Sequence, residues 1–200
     1  MEKYIYVVLI LLYIIIHTGL SYNVQQTGEV FYNDRIINNK STPKIYDIVH
    51  KYIPYWKNVK WLDSLIVFIT LIPLIYTNKK ELYIDFVILS IIVNIIRDIT
   101  INLTILPKAK ECNIKDIDFV YSTMAGGCYD KIFSGHAAIV FLLTLLYYSN
   151  SIITNIPILV LWNILSTISI LLIRSHYTID IFVSFLVTYI VFNEYMIRKN

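Results

Sequence analysis

Charged residues are scarce in this chain of 200 residues, at 16%, whereas hydrophobic residues make up 57%. A soluble domain of this size has too much surface for its volume to bury so much apolar material. The composition therefore excludes an ordinary soluble domain and indicates that the chain lies in lipid. The net charge of +3 is scattered without a basic stripe, so we expect no nucleic-acid partner.

Glycine and proline are also few, at five each, which permits long uninterrupted helices. A helix needs about 20 apolar residues to cross a bilayer. We therefore predict an all-α, polytopic membrane protein with one membrane domain, residues 1–200. The six predicted spans are Tyr4–Leu20, Trp61–Thr77, Leu82–Leu106, Ile132–Tyr148, Ile152–Ile173 and Tyr177–Ile197. The first could instead be a cleaved signal peptide.

Counting the crossings brings three sets of polar residues to one membrane face. The Ser21–Lys60 loop lies on that face, the third span ends there, and the fourth and sixth spans begin there. Polar groups inside spanning segments are costly and usually functional. They are Arg97, Asp98, Thr100, Asn102 and Thr104 in the third span, Ser134, Gly135 and His136 in the fourth, and His176, Tyr177, Thr178 and Asp180 in the sixth.

His176 and Asp180 are four residues apart, which puts both side chains on one face of a helix. A carboxylate bound to one imidazole nitrogen fixes the tautomer and makes the other nitrogen a better nucleophile or base. His136, from another helix, can supply the general acid. A lone histidine would more simply face water at a helix end, but two histidines and an aspartate on one side favour catalysis.

Two further features of this face are open to structural as well as functional interpretations. Ser134 and Gly135 stand at a helix start, where free N–H groups and the helix dipole favour phosphate. The glycine would serve close helix packing equally well. Arg97 lies deep for a guanidinium, and it either pairs with Asp98 or a backbone carbonyl, or holds a phosphodiester in its planar fork.

The chain has two cysteines, Cys112 and Cys128, both in the polar stretch Pro107–Lys131. In an oxidising compartment they could form a disulfide, which the chain-entropy model values at about 3 kcal/mol. In a reducing compartment both would be free thiols. The sequence leaves both possibilities open.

Several of these residues stand in motifs that resemble those of the sphingomyelin synthase family. The segment Gly127–His136 resembles the family's C-G-D-x-x-x-S-G-H motif, and His176–Asp180 resembles its H-Y-T-x-D motif. The segment Arg97–Pro107 is similar to the arginine-bearing third-helix motif, and Pro43–Asp47 is weakly similar to a Pro-Leu-Pro-Asp stretch. The resemblance covers a transferase-like core of about residues 43–193.

This resemblance implies the lipid phosphatase/phosphotransferase superfamily, in its phosphatidylcholine:ceramide cholinephosphotransferase branch. There, phosphocholine moves from phosphatidylcholine to ceramide and diacylglycerol is released, without a metal or organic cofactor. Carried over, His176 is the nucleophile that forms a phosphohistidine, Asp180 orients it, and His136 exchanges protons with the two lipid oxygens. The residues expected to bind substrate or phosphate are Arg97, Asp130, Ser134, Gly135 and Tyr177.

Departures from the family pattern leave the headgroup and acceptor open. Tyr129 replaces the middle glycine of C-G-D, and Pro43–Asp47 lacks most of the prolines. With water as acceptor, the same geometry would make a lipid phosphate phosphatase. The related phosphatases carry an arginine six residues before the second histidine, where this chain has Ile170, which favours a transferase. A non-enzymatic protein that keeps the fold is a third possibility, disfavoured by the intact His-His-Asp set.

Two signals disagree about membrane orientation. The resemblance places the polar face in the lumen of endomembranes or outside the plasma membrane. That face carries eleven Lys and Arg residues and the opposite face five, and the positive-inside rule would make the richer face cytosolic. Many of these charges lie far from helix ends, so we favour the lumenal or exoplasmic orientation.

Overall fold

The computed structural model describes residues 2–37, 45–59, 61–108 and 127–199, and this part of the chain is all-helical, as predicted. Seven α-helices lie within these ranges, together with a 3-10 turn at Lys57–Val59. They are α1 (Glu2–Ile37), α2 (Ile48–Tyr52), α3 (Leu62–Tyr76), α4 (Lys80–Leu103), α5 (Gly135–Ser149), α6 (Ile156–Leu172) and α7 (Thr178–Lys199).

All six predicted spans fall on helices, but capping residues move some of their ends. Ser134 is extended and its hydroxyl accepts a hydrogen bond from the first turn, so α5 begins three residues later than predicted. Asn155 caps α6 in the same way, and a proline follows in the first turn, so α6 begins four residues later than predicted.

The prediction that residues 21–60 form a loop is wrong up to Ile37, because α1 continues through this polar region as one helix. Residues 21–37 contain no proline to stop the helix. Asn33 donates a hydrogen bond of 2.6 Å to Glu29 one turn earlier, which supports the polar face. Val24 and Tyr32 of the same segment are buried, so tertiary packing stabilises a segment whose composition is typical of a loop.

Contacts divide the described residues into two compact units. We call Met1–Ile45 with Asn94–Ile132 the amino-terminal unit, and Tyr46–Val93 with Phe133–Asn200 the bundle unit.

The bundle unit has an apolar core where α3, α4 and α5 meet. Its buried members are leucines and a tyrosine: Leu74, Leu82, Leu89, Leu142, Leu143, Leu146 and Tyr147. The Tyr147 hydroxyl donates to the Thr70 carbonyl at 2.6 Å and accepts from Leu74 N–H at 3.1 Å, beside Pro73 inside α3. It thereby satisfies polar backbone groups at a place where the helix hydrogen bonding is interrupted.

The amino-terminal unit is built around the second half of α1. Val24 and Tyr32 pack with Ile101, Cys128 and Tyr129, which are all buried. A second contact lies closer to the amino terminus, where His17 Nδ1 is 2.8 Å from both carboxylate oxygens of Asp98. The polar contacts of this unit therefore reach far along α1.

By length and composition, one helix in the described part of the chain could cross a membrane: α7, with 22 residues and a mean hydropathy of 1.4. Three shorter helices, α3, α5 and α6, are also apolar. The all-α prediction is therefore confirmed, whereas the six-span topology stays a prediction.

Candidate active site

The predicted histidine–aspartate pair lies at the start of α7 in the bundle unit. His176 Nδ1 is 3.4 Å from Asp180 Oδ2, and the two residues are 4% and 1% exposed. The same carboxylate oxygen accepts a hydrogen bond of 2.9 Å from Tyr177 N–H. A carboxylate in a helix's first turn is also stabilised by the helix dipole. Asp180 is therefore held in place as a hydrogen-bond acceptor directly beside the imidazole.

The other Asp180 oxygen, Oδ1, is buried and makes no hydrogen bond to any described residue. A buried acceptor without a donor is costly, and such atoms are often found at functional sites. Only half of the acceptor capacity of this carboxylate is used by the helix start and the histidine.

Ser184 joins the start of α5 to the first turns of α7. Its hydroxyl oxygen accepts a hydrogen bond of 2.8 Å from Ser134 N–H. The hydroxyl also lies 2.6 Å from the Asp180 carbonyl and 3.0 Å from the Ser134 carbonyl, and it can donate to one of them. Ser134 N–H is additionally 3.4 Å from the Asp180 carbonyl. Ser134, Asp180 and Ser184 are all buried, so these hydrogen bonds hold the start of α5 against the first turns of α7.

His136 and Gly135 lie in the first turn of α5, and both are partly buried. Because Ser134 contacts the backbone of Asp180, the segment that carries His136 begins beside the turn that carries the His176–Asp180 pair. That His136 and His176 reach one phosphorus atom stays a prediction.

Arg97 and Asp130, two predicted phosphate-binding residues, contact each other in the amino-terminal unit. Arg97 Nη2 lies 2.6 Å from Asp130 Oδ2, and both residues are buried. Asp130 Oδ1 accepts a hydrogen bond of 2.9 Å from Gly127 N–H. Arg97 thus pairs with Asp130, whereas Asp98, its expected structural partner, binds His17. The expectation that Arg97 lines the site of His176 stays a prediction.

Tyr129, the departure from the family's C-G-D motif, is accommodated by α1. Its hydroxyl donates to Glu29 at 2.8 Å, its backbone N–H donates to Gln25 at 3.0 Å, and its ring stacks on Tyr32 at 5.5 Å. Gly28 leaves the space that the ring occupies, since a Cβ there would collide with it. The bulky residue therefore has a matched site within its own unit.

Sequence reasoning missed the contacts that α2 makes with the start of α7. Asp47 accepts hydrogen bonds from both the N–H and the hydroxyl of Thr178. The His50 ring lies 6.0 Å from the ring of Tyr177, and Arg174 donates to the His50 carbonyl at 2.8 Å. The resemblance reached Asp47, but no feature of the sequence pointed to His50 or Arg174.

The described residues contain no group of three or more His, Cys, Asp or Glu side chains that could hold a metal ion. Cys128 is disulfide-bonded, and Cys112, the other cysteine of the chain, lies outside the described residues.

Comparison with protein families supports the superfamily inferred from the motifs. The family described as PAP2 superfamily C-terminal matches residues 127–197, about a third of the chain, and this region carries both histidine motifs. No curated protein matches the chain. The family match supports the lipid phosphatase/phosphotransferase superfamily and an enzyme of that general type, without distinguishing its branches.

Proposed function

We propose that the protein is a multi-pass membrane phosphotransferase that moves a phospho-headgroup between lipid alcohols through a phosphohistidine. Its most specific form is transfer of phosphocholine from phosphatidylcholine to ceramide, which yields sphingomyelin and diacylglycerol. The observation that carries the proposal is the buried His176–Asp180 pair at the start of α7, joined through Ser134 and Ser184 to the start of α5.

The chemistry needs only side chains of this chain. The Nε2 nitrogen of His176 attacks phosphorus, the bond to the diacylglycerol oxygen breaks, and His136 gives that oxygen a proton. Asp180 stabilises the positive charge that develops on the imidazole ring. His136 then takes the proton of the acceptor hydroxyl, the acceptor oxygen bonds to phosphorus, and the bond to His176 breaks. The headgroup waits on the enzyme, so the two lipids need not bind together.

Supporting evidence for a membrane setting comes from the outer faces of the bundle unit. Large apolar side chains on α3, α6 and α7 are left exposed, at 45–62% for those in the following list. They are Phe68, Ile158, Leu161, Leu165, Phe182, Leu186 and Ile190. Lipid tails would cover apolar side chains exposed in this way.

Two alternatives use the same fold. Water could replace the lipid acceptor and make the protein a lipid phosphate phosphatase, which the family match supports equally. A non-enzymatic protein could retain the helices, but the buried Asp180 with an unused carboxylate oxygen favours a working site. The second alternative predicts no turnover with any lipid phosphoester.

The decisive experiment uses purified protein in liposomes that contain labelled phosphatidylcholine, with and without ceramide. We expect labelled sphingomyelin only when ceramide is present, and diacylglycerol in equal amount. Free phosphocholine without any transfer to an added lipid alcohol would identify a hydrolase instead. His176→Ala should abolish both turnover and the covalent labelling of the protein by the transferred headgroup. Full transfer activity in this variant would refute the phosphohistidine mechanism.

The role of His136 is tested by changing the leaving group. His136→Ala should slow turnover of a lipid phosphoester by about 10²–10⁴-fold. The loss should be smaller with a nitrophenyl ester, because nitrophenolate leaves without a proton. An equal loss with both substrates would contradict the general-acid assignment.

A further inference from the structure

Asp47 joins the amino-terminal ends of two helices in the bundle unit. Its Oδ1 accepts hydrogen bonds from Val49 N–H at 3.0 Å and His50 N–H at 3.1 Å, which caps α2. Its Oδ2 accepts from Thr178 N–H at 2.6 Å, and Oδ1 accepts from the Thr178 hydroxyl at 2.8 Å. One carboxylate therefore satisfies orphan donors of both α2 and α7. Burial raises the pKa of Asp47, but these hydrogen bonds outweigh it and lower the pKa below its ordinary value.

Apolar packing holds α2 against the same region. Val49 and Ile53, one turn apart, pack on a buried cluster of the bundle unit. The members of that cluster are Ala137, Ile170, Leu171 and Ile181, from α5, α6 and α7. The short helix is therefore anchored independently of its polar contacts, and Asp47 is presented to α7 from a fixed position.

The segment between α6 and α7 is held by α2 at several further points. Arg174 has a left-handed φ of 53°, where glycine is usual, and its guanidinium donates to the His50 carbonyl at 2.8 Å. The same guanidinium lies 5.7 Å from the centre of the Tyr55 ring. The His50 ring contacts Tyr177. Residues on both sides of His176 are thus fixed by contacts from α2 and the chain that follows it.

Asp47 leaves Asp180 available for His176. A helix start has several free N–H groups, and an acidic side chain in the first turn tends to bind them. Asp180 already accepts from Tyr177 N–H, and without Asp47 the N–H and hydroxyl of Thr178 would lose their acceptor. Asp180 is the nearest carboxylate along the chain that could replace it, and moving there would draw it from His176.

We propose that Asp47 is a positioning residue for the His176–Asp180 pair, acting through Thr178 and the start of α7. Its effect on catalysis rests on the proposed function, whereas its effect on the geometry of residues 174–180 does not. Removing the carboxylate should disturb the pair while leaving substrate binding largely unchanged.

The test compares Asp47→Ala and Asp47→Asn with a matched control, Asp63→Ala, using the full chain in lipid nanodiscs. Asp63 is buried, whereas Asp47 is partly buried, and Asp63 accepts a hydrogen bond of 2.8 Å from Ser64 N–H at the start of α3. We expect Asp47→Ala to lower kcat at least tenfold with KM changed less than twofold. Asp47→Asn should lie between, because the amide oxygen can still accept from α2, whereas the amide nitrogen in place of Oδ2 cannot accept from Thr178 N–H. Asp63→Ala should keep the wild-type kcat.

Backbone hydrogen exchange of the 174–180 peptide supplies a readout that needs no turnover. Exchange there should speed up in Asp47→Ala and stay unchanged in Asp63→Ala. Unchanged exchange in Asp47→Ala, or faster exchange with an unaltered kcat, would overturn the proposal.

If the wild-type protein acts on no lipid phosphoester, the proposed function fails. The positioning role of Asp47 can then be tested separately, without turnover. The rate at which diethyl pyrocarbonate modifies His176 is then measured against pH in each variant. The positioning role is upheld if the pH profile of modification changes in Asp47→Ala but not in Asp63→Ala, and if hydrogen exchange of residues 174–180 is also faster in Asp47→Ala. Identical profiles in all variants would reject it.

Discussion

The proposed chemistry depends directly on the charge of Asp180, which lies beside His176. Asp180→Asn keeps the shape of the side chain but removes the charge that stabilises the imidazolium. We expect kcat to fall by about 10²–10⁴-fold. Asp85→Asn is the control, since Asp85 is equally buried and pairs with Lys199 at the far end of α7. Similar losses of kcat in both variants would show that burial of an aspartate, rather than contact with His176, is what matters.

Gly28 on α1 tests whether Tyr129 is a matched feature of this chain. Gly28→Ala should destabilise the protein by about 1–3 kcal/mol, because the new methyl group collides with the Tyr129 ring. Gly19→Ala on the same helix should be neutral or stabilising by up to about 1 kcal/mol, since its Cβ meets nothing within 4 Å. Thermal unfolding of both variants in the same detergent checks the difference, and equal midpoints would contradict the packing.

Ser184 makes the contact between α5 and α7 that brings the two motifs together, so its removal acts at the scale of helices. Ser184→Ala leaves Ser134 N–H with a weaker acceptor at 3.4 Å and should cost about 1–3 kcal/mol. It should also lower kcat, because the beginning of α5 can shift relative to α7.

Thr188 provides the control on the same helix, one turn beyond Ser184. It is fully buried and its hydroxyl has no hydrogen-bond partner among the described residues. Thr188→Val should therefore leave stability unchanged or increase it, and it should preserve kcat. A loss of kcat in Thr188→Val equal to that in Ser184→Ala would argue that any change on this face disturbs the site.

The contact of α2 with α7 should depend on pH through His50. Burial lowers the pKa of His50 from its ordinary value of 6.5, against the opposing effect of Asp47. The unfolded chain therefore binds a proton at a higher pH than the folded protein does, and stability should fall as the pH drops through about 6.5. The measurement is the unfolding midpoint between pH 8 and 5 for wild type and His50→Gln. The same acid sensitivity in both proteins would exclude His50 as its source.

Membrane orientation is a property of the whole molecule, and the oxidation state of Cys128 provides one test of it. Disulfides persist in oxidising compartments, so a disulfide of Cys128 in the native protein is what the lumenal or exoplasmic orientation predicts, and that orientation stays a prediction. Thiol labelling of the unreduced protein should leave Cys128 unmodified, and labelling after reduction should modify it. Modification of both cysteines without reductant would count against the disulfide. Protease access to a carboxyl-terminal tag would establish the orientation separately.

Local pattern was sufficient for much of the fold. Long apolar runs with few prolines predicted the positions of six helices, because hydrophobic length and periodicity are properties of short segments. The pairing of His176 with Asp180 was equally local, since a spacing of four places two side chains on one helix face. Helix ends were less accurate, because they depend on single capping residues such as Ser134 and Asn155.

Contacts between residues distant in sequence were decided by tertiary structure alone. The polar composition of residues 21–37 does not predict a helix. The helix is stabilised by packing on Tyr129, about 100 residues later in the chain. Asp47 meets Thr178 across 131 positions, and Ser184 meets Ser134 across 50. Hydrogen bonds of this kind leave no periodic trace, since each partner satisfies only its own local preferences. The sequence by itself predicted which residues could do the chemistry, and the packing of α2, α5 and α7 decided which side chains hold His176 and Asp180 in place.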